Sequence, residues 1–284
     1  MSAQLLEGKP AAEKMRAEIY AEVAAFKDRH SFAPSLAVVL VGEDPASKVY
    51  VKRISKSFAD AGMGCNEVVL PADTTPERLQ AEIVALNGDP KVSGIIVQLP
   101  LPAPLTEKMV TDVLSPDKDV DGITPMNAGL LMQGLPCFVP NTPAGGLELL
   151  KRNGIEIKGK NAVVVGRSNI VGKPMAMLLL HEHATVTICH SRTRDLGAVC
   201  READIVCAAI GKANMIKGDM LKPGAAVVDF GINPQEKGIV GDVEFSSAKE
   251  VAGWITPVPG GTGVMTNVML LANTLAAAKR ALEK

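Results

Sequence analysis

The stretch NAVVVGRSNIVGKPMAMLLLHEHATVTICHSRTRDL, Asn161 to Leu196, decides the fold. Its opening run, NAVVVG over 161–166, reads as a buried strand that delivers Gly166 into a turn. Gly172 follows six residues later and starts an apolar segment, predicted as a helix over roughly 172–182, before the strand TVTIC at 185–189. Strand, glycine turn, helix, strand is the repeating unit of a parallel sheet, and it predicts a Rossmann-like nucleotide-binding domain. The spacing is not GxGxxG, but the physical requirement is the same. Glycines let backbone approach a pyrophosphate, and a helix start offers N–H groups to it. Gly166, Arg167, Ser168, Ile170 and Gly172 are the candidate contacts, with Ser168 and Asn169 either donating to the ligand or capping the turn. A tight strand–helix connection without a ligand is the alternative.

The end of the second strand bears on the cofactor. An NAD site commonly places a carboxylate there, accepting from the ribose 2′-OH. Here the strand runs into Cys189-His190-Ser191-Arg192, with no acid until Asp195. Arg167 and Arg192, with the Ser191 hydroxyl, suit a 2′-phosphate, so NADP is expected rather than NAD. Solvated surface arginines are the alternative, and it weighs more on Arg192 and Arg194 than on Arg167. ADIVCAAI and AAVVDFGI add two further strands. Gly211 and Ile232 follow them, where contacts to the nicotinamide ribose are expected. TPVPGGTGVMT (256–266) is predicted as a loop in which Gly260, Gly261 and Thr262 come close to ligand.

The first half repeats the alternation. A helix is predicted over 9–29, a strand over 36–41, a helix from Pro45 to about Ala61, a strand NEVVLP, a helix in TPERLQAEIVALNGD and a strand GIIVQLP. Prolines and glycines crowd the stretch from Pro100 to Pro143, much of which is expected to be loop. A linking helix is placed near Ala144–Arg152, and a last one at roughly Met265–Leu282, packing back on the first domain. The reading is α/β, two domains around a cleft: residues 1–143 joined by 265–284, and a Rossmann-like domain over 144–264. With 284 residues the chain is long enough for both.

A net charge of -1 gives no basic surface for nucleic acid and no polybasic patch for a membrane. Five cysteines, an odd number with no CxxC pair, fit buried thiols in a reducing compartment. The N-terminus lacks the apolar run of a signal peptide, and no segment reaches the roughly 20 apolar residues of a membrane span, so a cytoplasmic protein is expected. No metal site is expected.

Five motifs in order, VGEDPASKVYV, VQLPLP, DKDVDGITPMNAG, GRSNIVGKP and TPVPGGTGVMT, resemble the methylenetetrahydrofolate dehydrogenase/cyclohydrolase family over nearly the whole chain. The resemblance implies a two-domain α/β enzyme, usually a homodimer. Such an enzyme oxidises 5,10-methylenetetrahydrofolate with NADP to the methenyl compound, and many members then hydrolyse that to 10-formyltetrahydrofolate. It further implies that Tyr50 packs against the folate, that Gln98 binds substrate or orients a charged neighbour, and that Asp121 pairs with donors on the pterin ring.

One departure matters most. Bifunctional members carry a lysine four residues after the tyrosine, one helical turn along the same face, and it serves the hydrolytic step. Here that position is Ile54. Lys52 and Lys56 lie off Tyr50's face, and a shifted helix would be needed to recruit Lys56 as a substitute. Asn141 replaces the family's usual cysteine, and Thr262 and Val264 change its usual GGVGPMT. The expectation is a dehydrogenase whose cyclohydrolase is weak or absent. The alternatives are a bifunctional enzyme, a related one-carbon substrate, or a non-catalytic cofactor-sensing protein.

Overall fold

The structure, a computed structural model, describes residues 2–283. Along the chain run β1 (Gln4–Leu5), α1 (Gly8–His30), β2 (Ser35–Val41), α2 (Pro45–Asp60), β3 (Gly64–Leu70), α3 (Pro76–Gly88) and β4 (Gly94–Val97). Next come α4 (Glu107–Thr111), α5 (Pro125–Gln133), α6 (Asn141–Arg152), β5 (Asn161–Val165), α7 (Gly172–His181), β6 (Thr185–Cys189), α8 (Leu196–Arg201) and β7 (Ile205–Ala208). The remainder is β8 (Ala226–Asp229), β9 (Asn233–Pro234), β10 (Ile239–Val240), α9 (Phe245–Lys249), β11 (Trp254–Ile255) and α10 (Thr262–Ala281).

Two compact units emerge. One joins Met15–Val139 to the chain from Leu270 onward. Its sheet has the order β3-β2-β4, all parallel. The central strand β2 is buried on both faces, as its unbroken apolar run requires. Leu79, Ile83 and Leu86 of α3 cover one face, packing with Ala37, Val39 and Val41. Asn273 of α10 donates to the carbonyls of Val120 and Val139, fixing the last helix to this unit.

The other unit joins the chain up to Lys14 with Pro140–Met269. Its six-stranded sheet has the order β1-β11-β8-β7-β5-β6. Every pair in it is parallel. The order reverses at β5, which lies between β7 and β6, and the carboxyl ends beside such a reversal are where open α/β sheets bind ligands.

Two expectations need correction, at the N-terminus and at the last helix. Residues up to Lys14 group with the nucleotide sheet, not with the first half, because Gln4 and Leu5 pair with Trp254 and Ile255. A two-residue strand carries too little periodicity to be seen in sequence. The stretch after Pro100 is largely loop, as expected, with α4 and α5 set within it, and α5 starts at Pro125 behind the capping hydroxyl of Thr124. Proline at a first helical position starts a helix instead of breaking one. The last helix begins at Thr262, three residues before the expected start, so Thr262, Val264 and Met265 are helical and not loop.

Candidate active site

In the first unit the site is built on α2. Asp44 accepts from the Ser47 N–H at 2.8 Å, and Pro45 occupies the first turn, so the DPAS motif is a helix start. That bond holds the Asp44 carboxyl below its usual range. The helix buries Ser47, Val51, Ile54 and Phe58, a stripe at helical spacing. Tyr50 is half-buried, one turn before Ile54. Burial, and after it the negative charge of Asp121, pushes the Tyr50 phenol up to about 12. The charge of Asp121 thus reaches the Tyr50 phenol, which stays a donor at any ordinary pH.

Asp121 owes its place to a buried neighbour. Asp119 is fully buried and accepts from the N–H groups of Ile123 (3.1 Å) and Thr124 (2.8 Å) and from the Asn127 side chain (2.9 Å). That carboxylate folds the DVDG segment and seats the start of α5. Gly122, at φ +66°, completes the turn. Gln98 follows β4 directly; its backbone N–H donates to Val39 and its side-chain Nε2 donates to the Leu99 carbonyl at 2.6 Å.

Ile54 is fully buried, whereas Lys56 is exposed and lies 3.2 Å from Asp60. Lys56 is thus engaged on the solvent side of the helix, and the shift needed to make it a substitute is not seen.

In the second unit the turn after β5 meets the requirement for close backbone approach. Gly166 has φ +137°, and a Cβ there would strike the Ala209 carbonyl beyond β7. A Cβ on Gly172 would strike the Gly166 carbonyl, so the start of α7 sits directly on the turn. The N–H groups of Val171 and Gly172 both donate to Ser168 Oγ at 3.2 Å, and that of Lys173 to the Ser168 carbonyl. The Ser168 hydroxyl therefore closes the turn ahead of α7, and the segment presented to solvent is Arg167–Ile170, exposed throughout.

Beyond β6 the chain closes a tight turn. His190 N–H donates to Thr193 Oγ1, Thr193 N–H to the His190 carbonyl, and Arg192 N–H to His190 Nδ1. Ser191 and Arg192 stand exposed on it. Gly211 (φ +72°) and Ile232 (65% exposed) occupy the loops after β7 and β8. Exposed arginines, an exposed hydroxyl and two close-packed glycines at the carboxyl ends of neighbouring strands fit a phosphorylated dinucleotide.

The Gly260–Gly261 turn packs on the N-terminal segment: Gly8 N–H donates to the Gly260 carbonyl at 2.8 Å. Thr262 is buried and its hydroxyl donates to the Asp229 carbonyl at 2.9 Å, which ties α10 to the end of β8. Asn141 is buried in the first turn of α6.

Comparisons with known proteins show the family of the chain. The catalytic-domain model of tetrahydrofolate dehydrogenase/cyclohydrolase matches residues 6–121, and the NAD(P)-binding-domain model matches 140–282. The chain belongs to the tetrahydrofolate dehydrogenase/cyclohydrolase family. It is 57% identical to the bifunctional protein FolD of Moorella thermoacetica, over 99% of this chain and 100% of that one. The bifunctional FolD methylenetetrahydrofolate dehydrogenase/cyclohydrolase of Campylobacter jejuni has a similar structure, with TM-score 0.96 and 43% identity over 99% of this chain and all of that one. The Trypanosoma brucei dehydrogenase-cyclohydrolase, complexed with NADP and an inhibitor, has TM-score 0.95 and 38% identity with complete coverage of both chains.

Two carboxylates of this family member escaped the sequence reading. Asp229 and Asp242 are almost wholly buried beside the loops that carry Gly211 and Ile232. In sequence Asp229 ends the apolar strand AAVVD and Asp242 lies between Gly241 and Val243.

Proposed function

We propose that this enzyme oxidises 5,10-methylenetetrahydrofolate to the methenyl compound with NADP, and that it hydrolyses the methenyl product weakly or not at all. The observation that carries the second part is Ile54, fully buried one turn beyond Tyr50. Removing hydride from the methylene carbon leaves a cation shared by the two flanking nitrogens. That step asks the protein for alignment and exclusion of water, not for a base. Tyr50, Gln98 and Asp121 are the groups offered to the folate, and a phenol that stays protonated to about 12 can donate and stack.

Hydrolysis is different. Water must add to the cationic carbon and a proton must move, which calls for a group that gains and loses one near neutral pH. Ile54 cannot do so, and Lys56 is paired with Asp60 at the surface. When bound, NADP supplies the hydride acceptor. Arg167, Ser191 and Arg192 would hold its 2′-phosphate, and Gly166, Ser168, Ile170 and Gly172 would line its pyrophosphate. A homodimer in the cytoplasm belongs to the same reading, and sedimentation equilibrium tests the assembly.

The names of the relatives favour a second reading, in which hydrolysis proceeds without a cation at position 54. Supplying methenyltetrahydrofolate directly separates the two. The expected result is loss of methenyl absorbance at the uncatalysed rate, alongside rapid reduction of NADP when the methylene compound is given. Enzyme-dependent loss of methenyl absorbance would establish the second reading, and failure to reduce either NADP or NAD would remove both.

A further inference from the structure

The Asp242 carboxylate gathers four donors. Backbone N–H groups of Ile210, Gly211 and Lys212 reach it at 2.5, 2.9 and 2.9 Å, and Asn233 Nδ2 at 2.9 Å. It thereby ties the loop after β7 to the loop after β8. Beneath it, Asp229 accepts from the N–H groups of Gly231 (2.8 Å), Asp242 (3.0 Å) and Val243 (2.9 Å). The glycines conform to this arrangement: a Cβ on Gly231 would collide with Asp242, and one on Gly241 with the Asp229 carboxylate. A buried carboxylate with several N–H donors fixes backbone strongly, since breaking any bond strands a buried polar group.

We propose that Asp242, seated on Asp229, is the positioning residue for the nicotinamide half of the cofactor. It shapes the two loops that present Gly211 and Ile232, which follow β7 and β8 on the side of β5 opposite β6. The proposal rests on the nucleotide reading above. Hydride transfer is sensitive to small misplacements of the reacting carbons, so loosening these loops costs rate as well as affinity.

The test is Asp242→Asn, with Asn233→Ala as the milder variant that removes a single donor. In ligand-free protein, the amides of Ile210, Gly211 and Lys212 are expected to exchange about tenfold faster or more in Asp242→Asn than in wild type. With NADP, kcat is expected to fall and KM to rise, each by about tenfold, while affinity for 2′,5′-ADP, the fragment lacking nicotinamide, stays within about twofold. Asn233→Ala is expected to show the same split on a smaller scale. Unchanged kcat and KM in Asp242→Asn would overturn the proposal. An equal loss of 2′,5′-ADP binding would overturn it too, by showing that the variant disrupts the whole nucleotide unit. A wild-type protein that reduces neither NADP nor NAD overturns the functional reading instead, and with it the nicotinamide role given to these loops.

Discussion

At the scale of single residues, the consequential position is Ile54. It belongs to the buried stripe of α2, so an amine placed there would be desolvated and its pKa lowered, which suits proton exchange near neutrality. Ile54→Lys is therefore expected to raise methenyl hydrolysis by about a hundredfold, the lower range for a positioned acid–base group. It is also expected to lower stability by about 3 kcal/mol, because a charge is buried without a partner. Hydrolysis assays and urea titration check the two effects. A folded variant with no added hydrolysis would show that position 54 does not limit that step. Arg167 is the second such residue. Arg167→Ala is expected to weaken NADP binding by about ten- to hundredfold, the worth of a hydrogen bond to a charged group, and to leave NAD binding nearly unchanged. Calorimetry with both cofactors measures this, and equal loss for both would reassign Arg167 to the shared pyrophosphate.

Elements show where sequence is legible and where it is not. Strands β2, β5, β7 and β8 are apolar runs bounded by turns, and α2 and α7 start at recognisable caps or glycines, so all could be located by pattern. Short pieces could not: β1 and β11 have two residues each, and their pairing joins segments about 250 positions apart. Of the candidate site, Tyr50 and Asp121 were singled out through motif resemblance, and in the structure the charge of Asp121 acts on the Tyr50 phenol. The roles of Asp229, Asp242 and Thr262 depend on contacts between distant loops, which no local pattern encodes. Asp229 also gives the loop cluster a pH dependence. Burial, only partly offset by its N–H donors, raises its carboxyl to about 6. In an unfolded chain the value is about 3.9, so between about pH 4 and 6 the folded state keeps a proton that the unfolded state releases. The contribution of this group to stability is largest below that window and falls as pH rises through it, by an amount on the order of a few kcal/mol. Wild type is expected to lose stability relative to Asp229→Asn between about pH 4 and pH 6.5, as read from paired urea titrations. A difference that does not vary with pH would mean the carboxyl is not raised.

On the scale of the whole molecule, the chain crosses between its two units more than once. Residues up to Lys14 serve the nucleotide sheet, Met15–Val139 form the first unit, and α10 starts in one unit and ends in the other. Family membership fixes the chemistry offered by each: a catalytic domain over 6–121 and an NAD(P)-binding domain over 140–282. In the proposed reading, the apolar side chain at position 54 leaves hydride removal intact and offers no group suited to the proton transfers of hydrolysis. The most direct measurement is the ratio of 10-formyltetrahydrofolate to reduced NADP as the protein consumes 5,10-methylenetetrahydrofolate. The expected result is reduced NADP matched by accumulating methenyl compound, with formyl product appearing no faster than in its absence. Formyl product formed in step with reduced NADP from the first turnovers would contradict it.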